Sequence, residues 1–186
     1  MVQDSLKATH ANTNLDGFFK TVLKLKTVRR QGWIDKLGLA NPESVADHSY
    51  VVSVMSMVLS DQQKLDTLKV LKMSLLHDLA ESIVGDLTPR QASKIKKSKL
   101  ESAAMKKILK QLEKPLQSEY WSLWLEYQQM SSPESKLLHE IDKLEMLYQA
   151  KLYQKSGYTK KQLSAFFKST TPKISNKKLV KMIPRL

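Results

Sequence analysis

A histidine and an aspartate stand side by side in an otherwise apolar segment, at His77 and Asp78. Burying an unpaired carboxylate costs several kcal/mol, so Asp78 needs a cation or good hydrogen-bond donors around it. Neighbouring helical residues diverge by about 100°, yet both side chains can reach one ion beside the helix. Imidazole and carboxylate are suitable ligands for Mn, Fe, Co or Zn. The pair alone fits a hydrogen-bonded core histidine somewhat better, so a metal site needs further support.

Four other residues offer related chemistry. His48 stands just before an apolar run, and Asp142 is flanked by apolar residues at helical spacing. Glu81 follows the histidine–aspartate pair by about one helical turn, so it shares their face and could position or deprotonate a metal-bound water. Asp86 comes next, on the loop beside the same helix end. The ordinary alternatives for His48, Asp142 and Glu81 are a structural histidine, an ion pair and a solvent-facing carboxylate.

The elements that must position these residues are predicted to be helices. Apolar residues recur with a helical period, and no segment alternates convincingly with a period of two. Typical start and stop signals are present at Asn14 or Asp16, Asn41-Pro42-Glu43, Gly85 and Ser132-Pro133-Glu134. The chain is therefore predicted to be all-α, with helices over 15–28, 42–59, 66–83, 99–112, 119–130 and 133–150 and a weaker one over 163–167.

The composition indicates a globular domain and excludes several classes of site. The chain has 186 residues, 41% of them apolar, and no cysteine. Disulfide scaffolds, thiol catalysis, cysteine zinc sites and iron–sulfur clusters are thereby excluded, and an intracellular, cytoplasmic location is the simpler expectation. The longest apolar-rich run is too short to span a bilayer. Residues 1–16 lack the apolar core of a secretory signal, so none is expected.

The positive charge is unevenly distributed along the chain. The formal net charge is +13, and residues 151–186 carry ten lysines and arginines and no acid. Such a field attracts polyanions or phosphorylated ligands, although a solvated lysine-rich surface is about as good an interpretation. We expect a flexible N-terminus over 1–14, a single helical domain over 15–168 and a basic C-terminal tail over 169–186.

Three separated sequence blocks resemble a known family in both order and spacing. The blocks 42–49, 75–89 and 138–146 resemble the HD-domain metal-dependent phosphohydrolases, and within them the HD-domain 5′-deoxynucleotidases. The segment Arg30-Gln31-Gly32-Trp33 resembles the substrate segment of that group, and the Trp-Leu-Glu-Tyr stretch at 124–127 also fits it.

The resemblance implies a fold, a metal site and a reaction. The fold is a single-domain HD-type helical bundle around a divalent metal, which His48, His77, Asp78 and Asp142 would ligate. The metal is expected to be Mn, Co, Fe, Zn or Ni, since mixed nitrogen and oxygen ligands suit all of them. The reaction is hydrolysis of a 2′-deoxyribonucleoside 5′-monophosphate to deoxynucleoside and phosphate.

The resemblance also implies roles for the residues around the metal. Glu81 would orient or deprotonate a water molecule, and Asp86 would act in catalysis and contact the deoxyribose. Arg30 would bind phosphate through its planar guanidinium, although the spacing of this segment leaves Arg29 as an alternative. Trp33 would pack near the base or sugar, or else anchor the loop as a core aromatic residue. A second ion, Mg²⁺, is expected near Glu81 and Asp86 in some members.

Partners and alternative functions follow from the same considerations. We expect a nucleotide substrate, no membrane association and, by resemblance, a homodimer. HD hydrolases also act on triphosphates, alarmones, cyclic dinucleotides and oligonucleotides, so the substrate is the first alternative. The second is a basic helical nucleic-acid-binding protein with a structural metal site, which would show salt-sensitive binding.

Overall fold

A computed structural model describes residues 13–186, and within this range the chain is all-α. The only strand-like feature among these residues is an isolated antiparallel bridge between Arg29 and Ser44. The all-α prediction is therefore confirmed. Ten helices and one short 3-10 helix (Thr171–Lys173) follow one another: α1 Leu15–Lys24, α2 Gln31–Leu37, α3 Val45–Gln63, α4 Thr67–Leu76, α5 Glu81–Val84, α6 Lys94–Leu109, α7 Lys114–Gln129, α8 Pro133–Lys155, α9 Lys160–Thr170 and α10 Lys177–Val180.

Side-chain caps define where several helices begin. Asn14 accepts a hydrogen bond from the Gly17 N–H at 2.8 Å, and Ser132 caps α8 reciprocally with Ser135. Both predicted starts are confirmed. The start predicted at 41–43 is wrong, because Ser44 is the N-cap, in a capping box with Asp47, and α3 begins at Val45. Of the N-terminus that we expect to be flexible, residues 1–12 lie outside the described residues.

The helix predicted over 66–83 is interrupted at the residues that matter most. α4 ends at Leu76, His77–Ala80 form a turn, and α5 then begins at Glu81. Within the turn the backbone changes to i→i−3 hydrogen bonds, such as Glu81 N–H to Asp78 O at 3.0 Å. The predicted stop at Gly85 is confirmed, with a φ of 76° that favours glycine. The break places the histidine and the aspartate at a helix end rather than inside a helix.

The short helix α2 was not predicted, because its Gln-Gly-Trp start has neither a cap nor a helical apolar period. Its Trp33 is 1% exposed and packs against Tyr153 of α8 and Phe166 of α9. It thereby fixes the α2 backbone, which follows Arg30 directly. The other helices match the predicted segments with shifted ends, as α6 begins earlier than predicted and α8 continues to Lys155.

The core brings together the helices that carry the candidate residues. α3 packs along α4 and α8, and their buried side chains form one apolar cluster that includes Val52, Met73, Leu138, Ile141 and Leu144. A second cluster joins α1, α3, α4, α6 and α7. α3, the end of α4 and the middle of α8 therefore converge at one place in the interior. No helix in 13–186 is long and apolar enough to cross a membrane.

The segment expected as a basic tail is packed against the bundle. Ile174 and Leu179 are buried in the same apolar cluster as Leu138 of α8, and Glu140 accepts hydrogen bonds from the backbone N–H groups of Ser175 and Asn176. Its lysines lie on the surface. The structure shows no break at residue 168 that would separate a tail from the helical domain.

Candidate metal centre and active site

Four side chains from three elements meet at the centre of the bundle. His48 comes from the first turn of α3, His77 and Asp78 from the turn after α4, and Asp142 from the middle of α8. Asp78 Oδ2 lies 3.2 Å from His77 Nε2 and 3.8 Å from His48 Nε2, and Asp142 Oδ1 lies 3.3 Å from His48 Nε2. The four residues predicted as metal ligands are thus brought together.

Both histidines have their outer ring nitrogen fixed by a neighbouring acceptor. His48 Nδ1 donates to Glu145 Oε2 at 2.6 Å, and His77 Nδ1 donates to the Ser74 carbonyl at 2.6 Å. Since a carbonyl only accepts, His77 must carry its hydrogen on Nδ1. In both rings Nε2 is then the atom left for an ion, and the carboxylate oxygen near it belongs to Asp78 for His77 and to Asp142 for His48. Within the described chain both Nε2 atoms are buried and form no hydrogen bond.

Glu145 is a functional residue that sequence reasoning missed. It lies one helical turn after Asp142 on α8 and is 2% exposed. In the sequence, the only available signal was a glutamate at that spacing from Asp142. Together with Glu43 it surrounds the His48 imidazole with carboxylates. Burial and the nearby Glu145 raise the pKa of Glu43 to about 7. Acceptors of this kind orient ligating histidines in metalloproteins.

The charges around the four side chains favour a cation between them. Burial and Arg30 lower the pKa of His48, but the carboxylates of Asp142 and Glu145 outweigh them and raise it to about 10. Burial acts to raise the pKa of Asp78, yet His77 and Arg30 hold it below its usual range. Two ionised carboxylates beside two imidazoles therefore attract either a proton or a metal ion.

This donor set fits a divalent metal. One ligand atom each from His48, His77 and Asp78 lies within 4.8 Å of the others, and Asp142 contacts this group through His48 Nε2 at 3.3 Å. The two unpartnered Nε2 atoms are the decisive observation, because a buried nitrogen without a partner is costly unless it binds something. Two nitrogen and two oxygen donors suit Mn, Fe, Co, Ni or Zn. Such an ion polarises a phosphoryl oxygen and makes water more acidic.

The metal centre opens into a cavity of about 360 Å³. This volume is within the range of roughly 300–1,000 Å³ that is usual for small-molecule sites. Its wall combines ionisable groups with aromatic and apolar side chains, which suits a ligand with an anionic end and a ring. The residues that contribute most of this wall are Arg30, Trp33, His77, Asp78, Glu81, Asp86, Thr88, Lys97, Glu101, Tyr127, His139, Asp142, Lys143 and Phe166.

Glu81 lies at the start of α5, on the cavity wall, and is 2% exposed. Its Oε1 is 3.5 Å from Lys97 Nζ, whereas its Oε2 has no hydrogen-bond partner in the described part of the chain. Burial raises the pKa of the Glu81 carboxyl well above its usual range, and Asp78 and Asp86 add to the effect. A buried carboxylate with a free oxygen beside a metal centre can accept a proton from water.

The structure separates the two candidate arginines. Arg30 lines the cavity, with Nη1 3.5 Å from Asp78 Oδ2 and Nε 3.9 Å from Glu43 Oε1. Arg29 is exposed and donates to the Pro42 carbonyl at 3.2 Å. Only Arg30 is therefore in a position to reach a phosphate group in the cavity.

Asp86 and Trp33 lie on the same side of the cavity. Asp86 accepts a hydrogen bond from the Gln31 N–H at 2.8 Å, which ties the loop after α5 to the start of α2. Trp33 stacks on Phe166 with ring centroids 4.1 Å apart, and its indole donates to Glu43 Oε1 at 2.9 Å. Of the two interpretations considered for Trp33, its near-complete burial favours the core aromatic, with one edge toward the cavity.

Sequence reasoning also missed several residues of the cavity wall. Lys97 and Glu101 reach it from α6, and Lys143 lies 2.7 Å from Asp142 Oδ2. His139 also lines the cavity and stacks in parallel on Tyr127, with ring centroids 4.0 Å apart. Lysines in a lysine-rich chain carry no pattern that marks them as site residues, since only tertiary contacts distinguish them.

Comparison with known proteins identifies the family. The family model described as HD domain matches residues 22–182. The chain belongs to the HD-domain family. The match extends beyond residue 168, so the HD domain includes most of the segment expected as a tail. HD domains are metal-dependent, in agreement with the donor set described above.

Proteins named as 5′-deoxynucleotidases are similar to most of this chain. The 5′-deoxynucleotidase HDDC2 of Homo sapiens is 36% identical over 178 residues, which are 95% of this chain and 86% of that protein. The 5′-deoxynucleotidase HDDC2 of Dictyostelium discoideum is 40% identical over 84% of this chain and 87% of its own length. Among solved structures, the PH0347 protein from Pyrococcus horikoshii OT3 is 35% identical with a TM-score of 0.75, covering 89% of this chain and 92% of that one.

Proposed function

We propose that this HD-domain protein is a metal-dependent 5′-deoxynucleotidase, which hydrolyses 2′-deoxyribonucleoside 5′-monophosphates to deoxynucleoside and phosphate. The observation that carries the proposal is the pair of buried, unpartnered Nε2 atoms of His48 and His77, which face two carboxylates at the floor of a cavity. The 5′-deoxynucleotidases among the relatives support the same reaction.

The cavity wall offers separate groups for the phosphate and for the attacking water. Arg30 would bind the phosphate oxygens through its planar guanidinium, and its contact with Asp78 keeps it directed at the metal centre. Glu81 would take a proton from water as the water oxygen bonds to phosphorus and the phosphorus–5′-oxygen bond breaks. The leaving 5′-oxygen then gains a proton and departs as the deoxynucleoside.

Asp86 is our candidate for sugar selection. Its carboxylate is held by the Gln31 N–H and lines the cavity. We propose that this carboxylate leaves too little space for a 2′-hydroxyl, so that the deoxy sugar fits beside it and the ribose does not. Trp33 and Phe166 form the adjoining apolar wall, against which a base or sugar could rest.

We infer that the resident ion is one of Mn, Co, Fe, Zn or Ni, because two imidazoles and two carboxylates suit these ions better than Mg²⁺ or Ca²⁺. Elemental analysis of the purified protein tests this directly. One equivalent of such an ion per chain, lost in His77→Ala, is the expected result. A full equivalent of metal retained in His77→Ala would contradict the ligand assignment.

We also propose a homodimer, formed through the outer face of α3. Between Asp47 and Asp61 this helix carries no acid, lysine or arginine, and its exposed side chains form one apolar stripe: Tyr50, Val51, Val54, Met57 and Val58. Absence of charge at the centre is typical of protein interfaces, and a two-fold axis would pair the stripe with itself. Light scattering should give twice the chain mass, and Val54→Lys should give the monomer.

A cytoplasmic location is part of the same proposal, since deoxynucleoside monophosphates are intracellular metabolites and the chain has no cysteine. A fluorescent fusion viewed in the source cells tests it. Fluorescence confined to an organelle or to the outside of the cell would contradict it.

The experiment that tests the function is phosphate release from metal-stripped protein. Co²⁺, Mn²⁺ or Mg²⁺ is restored in turn, and 5′-dAMP, 5′-AMP and 3′-dAMP are offered side by side. We expect release from 5′-dAMP with a transition metal, and little from the other two nucleotides. Metal binding without release from any of the three would contradict the substrate class, and triphosphates, cyclic dinucleotides and oligonucleotides would be tested next.

A further inference from the structure

Lys97 differs from the other lysines of α6 in where its side chain lies. The other lysines of this helix are exposed, whereas the Lys97 side chain is 31% exposed and lines the active-site cavity. Its Nζ donates to the Leu87 carbonyl at 3.0 Å and lies 3.5 Å from Glu81 Oε1 and 3.4 Å from Glu101 Oε1. One ammonium therefore joins α6 to the start of α5 and to the loop that follows α5.

Glu81 depends on such a contact because its own helix is too short to fix it. α5 has four residues, and no side chain caps its start. A single helical turn has little stability of its own. Among residues 13–186, Lys97 is the only cation that forms an ion pair with the Glu81 carboxylate. The position of this carboxylate is therefore set by a contact from a neighbouring helix.

The two carboxylate oxygens of Glu81 have different surroundings. Oε1 faces the Lys97 ammonium, whereas Oε2 is buried and has no hydrogen-bond partner in the described part of the chain. A buried oxygen without a partner is costly unless it serves a ligand or a reaction. The contact with Lys97 thus engages one oxygen of Glu81 and leaves the other for a water molecule in the cavity.

We propose that Lys97 is a positioning residue for the reaction, which holds Oε1 of Glu81 so that Oε2 is the oxygen presented to the attacking water. Lys97 acts through Glu81 and not through contact with the nucleotide. The proposal rests on the proposed function in taking Glu81 as the group that accepts a proton from this water.

Glu101 holds Lys97 in place in turn. It lies one helical turn after Lys97 on α6 and is 9% exposed. Burial acts to lower the pKa of Lys97, but the charges of Glu81 and Glu101 outweigh it and raise this pKa, so the side chain stays an ammonium. A charged group tied to oxygens of three segments has little freedom to rotate, and a positioning group requires that rigidity.

The test is a double-mutant cycle of Lys97→Met and Glu81→Gln, measured as kcat and KM for 5′-dAMP with Co²⁺ bound. In the wild-type background, Lys97→Met should lower kcat by roughly 10–100-fold, because a small misplacement of a reacting group has effects of this size. KM should change little, since no contact with the nucleotide is lost. In the Glu81→Gln background, Lys97→Met should have little further effect on kcat.

Two outcomes of the cycle would overturn the proposal. An equal loss of kcat in both backgrounds would mean that Lys97 acts independently of Glu81. A raised KM with unchanged kcat would mean that Lys97 binds the nucleotide directly.

Further variants separate positioning from stability. Lys97→Arg keeps the charge and should restore most of kcat. Lys97→Gln keeps only a donor for the Leu87 carbonyl and should remain impaired, so it tests the charge even if Lys97→Met folds poorly. Lys99→Met, at an exposed lysine on the same helix, is the matched control and should have wild-type kcat. Wild-type kcat in Lys97→Gln would contradict the role of the ammonium.

A measurement without substrate keeps this result separate from the proposed function. Crystal structures should show the Glu81 side chain in one position in the wild type and displaced, or in several positions, in Lys97→Met and Lys97→Gln. An unchanged Glu81 in these variants would overturn the positioning role whatever the enzyme hydrolyses. Absence of phosphate release from 5′-dAMP by the wild type would overturn the deoxynucleotidase proposal and leave the structural comparison standing.

Discussion

His48 and Glu145 form a short hydrogen bond at the candidate metal centre, with 2.6 Å between Nδ1 and Oε2, and both side chains are almost completely buried. The two residues come from α3 and α8, 97 positions apart in the chain. Once the proton on Nε2 is lost, this hydrogen bond keeps the remaining hydrogen on Nδ1, so Glu145 would act on a metal through His48.

Glu145→Gln should therefore weaken metal binding without removing a ligand. Outer partners of ligating histidines are typically worth about 10–100-fold in metal affinity or activity. We expect a loss of that size, measured by competition with a chelating dye. Glu119→Gln, which breaks an exposed ion pair with Lys72, is the control and should bind metal normally. Wild-type affinity in Glu145→Gln would contradict a positioning role.

Metal binding should release a proton from the centre. Because neighbouring carboxylates raise the pKa of His48 to about 10, the imidazole without an ion is protonated at neutral pH. The metal must displace this proton from Nε2, so the apparent metal affinity should fall as the pH decreases.

The released proton can be counted by calorimetry. Co²⁺ is titrated in two buffers of different ionisation enthalpy. The difference between the two heats, divided by the difference between the two ionisation enthalpies, should correspond to about one proton released per site at pH 7. Heats that are identical in both buffers would mean that His48 is already neutral before the metal binds.

Glu81→Gln should separate catalysis from metal binding. The substitution keeps the shape of the side chain and removes the proton acceptor, so we expect kcat to fall by roughly 10²–10⁴-fold with a full equivalent of metal retained. Since burial raises the pKa of Glu81, wild-type kcat should increase with pH as this carboxyl ionises. A variant that retains wild-type kcat, or that loses its metal, would exclude Glu81 as the base.

Trp33 should contribute more to stability than to substrate binding. Its side chain is 1% exposed between Tyr153 and Phe166 and donates to Glu43. Truncating a buried aromatic residue of this size costs about 3–5 kcal/mol, so Trp33→Ala should unfold at a much lower temperature or denaturant concentration. Trp33→Phe should be milder and keep a near-normal KM. A raised KM with unchanged stability in Trp33→Phe would instead support direct contact with the nucleotide.

The helical pattern was visible in the sequence where the local signals agree. Asn14, Ser132 and Gly85 begin or end helices as their types predict. The break after Leu76 was not visible, because no glycine or proline marks it and the apolar period continues through it. The short helix α2 was missed because its apolar residues do not recur with a helical period. The burial of Trp33 holds it in place instead.

The sequence by itself determined the all-α class and the resemblance to HD-domain phosphohydrolases, because these depend on residue type, order and spacing, and that resemblance implied the proposed metal ligands. Only the tertiary structure decided that Arg30 rather than Arg29 faces the cavity, that Glu145 and Ser74 fix the histidine tautomers, and that Lys97 lies against Glu81. The physical reason is that burial and contact between distant elements distinguish these side chains from identical residues elsewhere, and no local pattern encodes them.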